Sequence, residues 1–407
     1  MNVAVRSPLP VLALVILGLG GGELFLSARL RQNPVANARL CRYDLCDDAR
    51  LVNFAYTQQL RGDPQSVATA IQLLADSLAR DSASALRWAD LGDALATVGS
   101  PDKARFCVDR AVELGHTSTP ILVGAGQFYL QNANRLQGLR SMARALALTS
   151  ELDEAIFSRF AAFRISSREV LTDGLPPGSR AVQSYLQYLI GQQALADARE
   201  VWRWMVARRL ADRRIAVDYS DFLLGRKLFQ EAAAAWAAPG GQPAGYRIRQ
   251  FLYNGDFEQE PSTAALDWKI DPLEHVEVDR VPGADSGKFS LRIRFGGSAN
   301  IDYSQVGQKV ALPPGRYRFQ AYIRTDNLTT DQGVAFRISD AETPHRLSVE
   351  TEQVLGTTAW HPVKAAFAVS PATQLVDVRV IRRPSLKFDN AIAGAVWIGR
   401  LSLTRVE

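Results

Sequence analysis

The stretch Leu312-Pro313-Pro314-Gly315-Arg316-Tyr317-Arg318-Phe319-Gln320-Ala321-Tyr322-Ile323-Arg324 decides how the second half of this chain folds. Tyr317, Phe319, Ala321 and Ile323 fall on one side of an extended backbone. Arg316, Arg318, Gln320, Tyr322 and Arg324 fall on the other. Alternation with a period of two marks a strand that buries one face. Pro313-Pro314-Gly315 supplies the turn that introduces it.

Working outward, strand-like runs occupy 276–280, 289–295, 301–310, 315–325, 333–339, 361–369, 374–382 and 394–405. In one of them Val376, Val378 and Val380 alternate with Asp377, Arg379 and Ile381. Many short strands with one apolar face predict two packed antiparallel sheets, a β-sandwich over 250–407. The border on its N-terminal side is Pro239-Gly240-Gly241-Gln242-Pro243, where alanine-rich helical periodicity gives way to Val, Ile, Phe and Tyr in alternation.

Before that border the pattern is helical and repetitive. Residues 88–111 read Trp88-x2-Leu91-Gly92-x2-Leu95-x3-Gly99-x4-Ala104-x3-Val108-x2-Ala111. Small residues at 92, 104 and 111 let two helices approach closely, large ones fill the groove between them, and Gly99 allows the turn. Moving on by 34 residues gives Leu122, Ala125, Gly126, Tyr129, Met142 and Ala145; moving back gives Phe54, Ala70 and Leu74. Tyr185, Leu189, Ala198, Trp202 and Met205 recur as Tyr219, Leu223, Ala232, Trp236 and Pro239. This pattern resembles the tetratricopeptide repeat, which implies a solenoid of stacked hairpins over 48–240 that binds a peptide or a protein partner. The family's usual Pro is replaced by His116, and by Ser82 and Ser150 at the equivalent positions. Cys107 falls on the apolar face of its helix and reads as a buried thiol. The arginines at 208, 209, 213 and 214 read as a solvated helix end, with an acidic partner as the rival reading.

The sandwich segment carries a second resemblance. Leu252-Tyr253-Asn254-Gly255-Asp256-Phe257-Glu258, Trp268, the Leu-Pro-Pro-Gly-Arg-Tyr-Arg-Phe strand and the closing Val396-Trp397-Ile398-Gly399-Arg400-Leu401-Ser402-Leu403 are similar to a carbohydrate-binding module of the galactose-binding-like jelly-roll type. The resemblance implies polysaccharide binding. It also implies a structural calcium ion, for which Asp256 and Glu258 could supply one side, although Gly399 stands where the family commonly has an acid. Sugar recognition needs aromatic faces and a few polar forks. Trp268, Trp360 and Trp397 read as core, since they lie in the segments that pack the sandwich. Outward residues on neighbouring strands, Tyr322, Arg324, Arg337 and Arg379, are the candidate glycan contacts, with Tyr303 a further one.

At the N-terminus, residues 9–26 read LPVLALVILGLGGGELFL. This span of 18 residues, apolar but for Glu23, approaches the roughly 20 that cross a bilayer, so 1–30 is expected to be a transmembrane anchor, with a cleaved secretory signal as the alternative. A linker over 31–47 follows. Cys41 and Cys46 within it are a candidate disulfide, or two free thiols. A net charge of +5 on 407 residues is too mild to point to nucleic acid. Three cysteines and four histidines leave little material for a metal cluster.

No catalytic signature survives inspection. Gly18-Leu19-Gly20-Gly21-Gly22 lies inside the apolar run, and the chain has no phosphate loop, nucleophile elbow or zinc-protease helix. Glu350, Glu352, Asp340 and Glu342 could pair for glycoside hydrolysis, but on exposed strands they read as solvating charge. The expectation is therefore an α + β multidomain chain: an N-terminal transmembrane helix, a tetratricopeptide-like solenoid and an antiparallel β-sandwich, without enzymatic activity or a cofactor. By analogy between modules, it would be an accessory protein of bacterial exopolysaccharide assembly or export. It would be held in the inner membrane with its bulk in the periplasm. The rivals are a purely protein-binding scaffold and a glycan-cleaving enzyme.

Overall fold

A computed structural model describes residues 32–40, 48–238, 246–262, 264–283 and 289–406. The expected anchor over 1–30 lies wholly outside the described residues, as do Cys41 and Cys46. Among the described residues no helix is long and apolar enough to cross a membrane. The chain divides into two compact units, Met1–Tyr188 and Leu189–Glu407.

In the first unit the helices are α1 (Pro34–Leu40), α2 (Asp48–Arg61), α3 (Pro64–Arg80), α4 (Ala85–Thr97), α5 (Pro101–Leu114), α6 (Thr119–Gln131), α7 (Arg135–Leu148) and α8 (Asp153–Ala162). They pack in consecutive pairs, α2 on α3, α4 on α5 and α6 on α7. The starts of α4 and α6 stand 34 residues apart, as do those of α5 and α7.

Glycines explain why the period is kept. A Cβ on Gly92 would stand 2.9 Å from Cγ2 of Val108, and one on Gly126 would stand 2.9 Å from Met142. Each glycine thus meets the equivalent position of its partner helix. Start signals are local: Pro64 and Pro101 open their helices, and Asp63 accepts a 2.9 Å hydrogen bond from the amide of Ser66. Cys107 is buried as expected. Past α8 a capping box, Ser166 with Glu169, starts a short turn that continues as π-helix over Val170–Gly174.

Helix α9 spans Arg180–Gly191. The second unit then holds α10 (Leu195–Ala207), α11 (Arg213–Leu224) and α12 (Phe229–Ala237), followed by ten strands among its described residues. Strands β1 (Lys269–Ile270), β4 (Val306–Ala311), β9 (Leu375–Ile381), β6 (Ala335–Asp340) and β7 (Ser348–Glu350) form one antiparallel sheet in that order. The other sheet runs β2 (Val276–Pro282), β3 (Phe289–Gly296), β10 (Ala393–Val406), β5 (Gly315–Leu328) and β8 (Gly356–Val369).

All eight expected runs contain strand. The short strands β1 and β7 are additions, and 301–305 is not a strand: Tyr303 makes only an isolated bridge to Arg382. Between the sheets lies one apolar core that includes Tyr317, Phe319, Ala321 and Ile323, as the alternation predicts. Trp268 is 1% exposed in this core, where its indole N–H donates to the carbonyls of Tyr253 and Asn254.

The last helix ends at Ala237, next to the compositional border, but its packing continues across it. Phe229, Ala233 and Trp236 pack with Tyr253, Ala264, Leu266, Ala311 and Leu375 of the sandwich. Arg213 lays its guanidinium 3.3 Å from the Trp236 ring centre and 4.8 Å from that of Tyr253. This half-buried arginine is therefore a joint within the unit, and the arginine-rich stretch is not one continuous patch.

Candidate functional site on the outer sheet face

The bulk of β5 has one face in the core, so its other face is free to meet a ligand. Tyr322 is partly exposed and Arg324 is exposed. In the β5–β10 ladder Trp397 stands opposite Arg324, and Gly399 opposite Tyr322. On the other side β8 places Pro362 opposite Tyr322. Two residues before Pro362, in the same phase, Trp360 is partly exposed as well. Tyr322 and Trp397 thus share the solvent side of one sheet, and Trp360, partly exposed with its indole nitrogen buried, stands beside them on β8 where the register shifts.

Trp397 shows the logic most clearly. Its neighbours Val396 and Ile398 are 0% exposed. Strand geometry then sends Trp397 outward. The expectation that Trp397 is a core residue is corrected; Trp360 is only partly buried, with its indole nitrogen covered, and Trp268 is core. The signal was present in the sequence: Trp397 alternates with Val396 and Ile398, and that parity outranks the general tendency of tryptophan to be buried.

Cations frame the aromatics. The Arg324 guanidinium lies 4.8 Å from the Trp397 ring centre. A register shift between Gly399 and Ser402 bulges β10, and Arg400 at the bulge sits 5.3 Å from the Tyr322 ring centre. Towards β3 the charges are already satisfied: Arg292 pairs with Asp279 at 2.6 Å, and Arg294 with Glu277 at 3.1 Å. The arrangement offers flat apolar ring faces bordered by donors, which is what the apolar side of a pyranose and its hydroxyls require.

The remaining candidates do not join this face. Arg337 and Arg379 stand opposite each other in the β6–β9 ladder, on the other sheet. Arg337 is paired with Glu350 at 2.9 Å. Arg379 is paired with Asp377 at 2.8 Å and donates to the Ser304 carbonyl at 2.7 Å. Tyr303 is corrected outright: it is 1% exposed, edge-on to Phe295 at 5.5 Å, and belongs to the core. Sheet membership depends on strand order, so five outward-looking residues in sequence become two on one face, two on another and one inside.

Asp256 and Glu258 follow Gly255, where the opening segment runs tight against the last strand. The Leu401 amide donates to the Gly255 carbonyl at 3.0 Å, and a Cβ on Gly255 would fall 2.0 Å from the Leu401 carbonyl oxygen. Burial and the adjacent Glu258 charge push the Asp256 carboxyl up, and only the Arg400 charge opposes them. No group of three metal-ligating side chains gathers among the described residues. Asp256 and Glu258 thus stand as two neighbouring carboxylates with the Arg400 charge acting on Asp256.

The carboxylates considered for hydrolysis are tied into structure. Burial raises Glu350, but hydrogen bonds from Arg337 and Arg383 outweigh it and hold the carboxyl below its ordinary range. Asp340 is 2% exposed and accepts from Thr373 at 2.7 Å and from the amides of Glu342 and Thr343 at 2.8 Å each.

No family model matches this chain, and no curated protein does. Among solved structures, it is similar to TmCBM61 in complex with beta-1,4-galactotriose, at 18% identity, covering 39% of this chain and 99% of that one, with a TM-score of 0.29. A family 16 carbohydrate-binding module is similar at 18% identity over 39% of this chain and 99% of its own, with a TM-score of 0.27. MamA is similar at 16% identity over 41% of this chain and 81% of its own, also with a TM-score of 0.27.

Proposed function

We propose that the sandwich binds polysaccharide on the outer face of β10, β5 and β8, and that the protein acts by contact and not by catalysis. The observation that carries this reading is the placement of Tyr322 and Trp397 on the solvent side of a sheet whose alternate residues Ala321, Ile323, Val396 and Ile398 are fully buried, with the partly exposed Trp360 on the neighbouring strand. Aromatics in that phase contribute little to the core and are available for stacking. The sequence similarity of 252–258 and 396–403 to carbohydrate-binding modules supports the same reading. A non-catalytic role is supported by the carboxylates, since Glu350 and Asp340 are held ionised by structural partners and neither is poised to donate a proton.

The helical hairpins, tetratricopeptide-like in their 34-residue spacing, would hold a protein partner. A cavity of about 500 Å³ between α10, α11 and α12 supports this, lined by Trp202, Val206, Tyr219, Leu223 and Ala235. With the apolar run at Leu9–Leu26 as an inner-membrane anchor, the whole reads as a periplasmic accessory protein of bacterial exopolysaccharide assembly or export. The test is a polysaccharide pull-down with the full chain and with Trp397→Ala. Retention of the parent by a polymer and its loss in the variant is the expected result. Absence of binding to every polymer tried would favour a purely protein-binding scaffold.

A further inference from the structure

The charge on the aromatic face is one-sided. Strands β5, β8 and β10 together carry Arg316, Arg318, Arg324, Lys364, Arg400 and Arg405 against a single acid, Asp326. Arg316, Arg318 and Arg324 alternate with the buried residues of β5, so they project from the same side as Tyr322. Lys364 sits opposite Gln320, another residue of that side. Among the described residues, none of Arg316, Arg318, Arg324 and Lys364 is joined to a carboxylate by an ion pair.

The contrast within the same sheet is informative. On β3, Arg292 and Arg294 are neutralised by Asp279 and Glu277 of β2. The other sheet treats its outward arginines likewise, Arg337 with Glu350 and Arg379 with Asp377. Among the described residues Arg316, Arg318, Arg324 and Lys364 of the aromatic-bearing strands have no such partner, while Arg400 acts on Asp256. From Arg318 to Arg324 the strand advances about 20 Å, so the positive charge is spread along the platform and not concentrated at one end. A row of unpaired cations repels itself, and this self-repulsion is relieved by a polyanion.

We infer that the ligand is an acidic polysaccharide, one carrying carboxylate or sulfate groups along its length, with Tyr322, Trp360 and Trp397 stacking on sugar rings while the cations meet its charges. The inference rests on the proposed glycan site and narrows the chemical class of its ligand.

The full chain is titrated with polygalacturonate and with the same polymer fully methyl-esterified, following tryptophan fluorescence at low and high salt. Three exposed ion pairs imply roughly tenfold tighter binding of the acid form at low salt, fading as salt screens the charges. The triple variant R316Q/R318Q/K364Q, which leaves the aromatics alone, is expected to lose this preference while its binding of the ester is unchanged. Equal binding of acid and ester by the parent overturns the acidic class and leaves the glycan site standing. Acid-selective binding that survives Trp397→Ala, or that inorganic polyphosphate reproduces at equal charge, shows attraction by charge alone and overturns the glycan site. Failure to bind either polymer overturns both.

Discussion

Trp397 stands directly opposite Arg324 across the β5–β10 ladder, and the guanidinium carbon lies 4.8 Å from the indole centre on the solvent side of the sheet. The pair packs nothing in the core, because Val396, Ile398 and Ile323 fill that side. It is thus a surface device, and its loss should be read in binding before it is read in stability.

Replacing Trp397 or Tyr322 by alanine should weaken polysaccharide binding at least tenfold, about 1.4 kcal/mol or more. The melting temperature should stay within a few degrees of the parent, since surface substitutions cost about 0.5 kcal/mol. Affinity electrophoresis in polymer-containing gels alongside thermal melts checks both. A variant that binds as well as the parent would remove Trp397 from the site.

Arg337→Ala and Arg379→Ala should leave glycan binding unchanged, because both residues belong to the other sheet. Each breaks a partly exposed ion pair, worth about 0–1 kcal/mol of stability. Reduced polysaccharide affinity in either variant, with a normal melt, would mean that the second sheet also carries a ligand.

Gly255→Ala should destabilise the sandwich by about 1–3 kcal/mol or more. The new Cβ would lie 2.0 Å from the Leu401 carbonyl oxygen, a backbone atom that cannot swing aside. Chemical denaturation of the parent and variant measures the change. An unchanged midpoint would show that the opening segment does not need its close seat on β10.

Asp90 gives stability a pH dependence. Burial, helped by the nearby Asp93 charge, pushes its carboxyl up to about 6. The folded state therefore prefers the protonated acid. That contribution is complete below the unfolded value, near 4, and is lost as pH climbs through about 6. Asp90→Asn cannot ionise, so its melting temperature should gain on the parent between pH 4 and pH 7. Parallel curves over that window would show that Asp90 ionises in the folded chain as freely as in the unfolded one.

Much of the molecule was legible because its signals are local. The 34-residue recurrence of Gly92 and Gly126 follows from helix contact: each glycine faces the partner helix at Val108 or Met142, where a side chain would clash. The inward set of β5 was legible because alternation is a property of the extended backbone itself. Trp397 was equally legible, by parity with Val396 and Ile398, and was hidden only by the habit of assigning tryptophan to the interior. Tyr303 was misplaced because 301–305 alternates like a strand yet crosses from one sheet towards the next, turning its ring inwards against Phe295.

What the sequence determined by itself, then, is the kind of each element and which side of it is apolar, since both depend on residues a few positions apart. Which outward residues become neighbours was decided only by the tertiary structure. Strand order puts β10 between β3 and β5 and sends β6 and β9 to the other sheet. Tyr322 and Trp397 are joined by that order across 75 residues of chain, and Arg324 and Arg337, only 13 apart, are separated by it. The physical reason is that sheet partners are selected by closing a common core, a condition imposed by the whole chain at once and by no single segment of it.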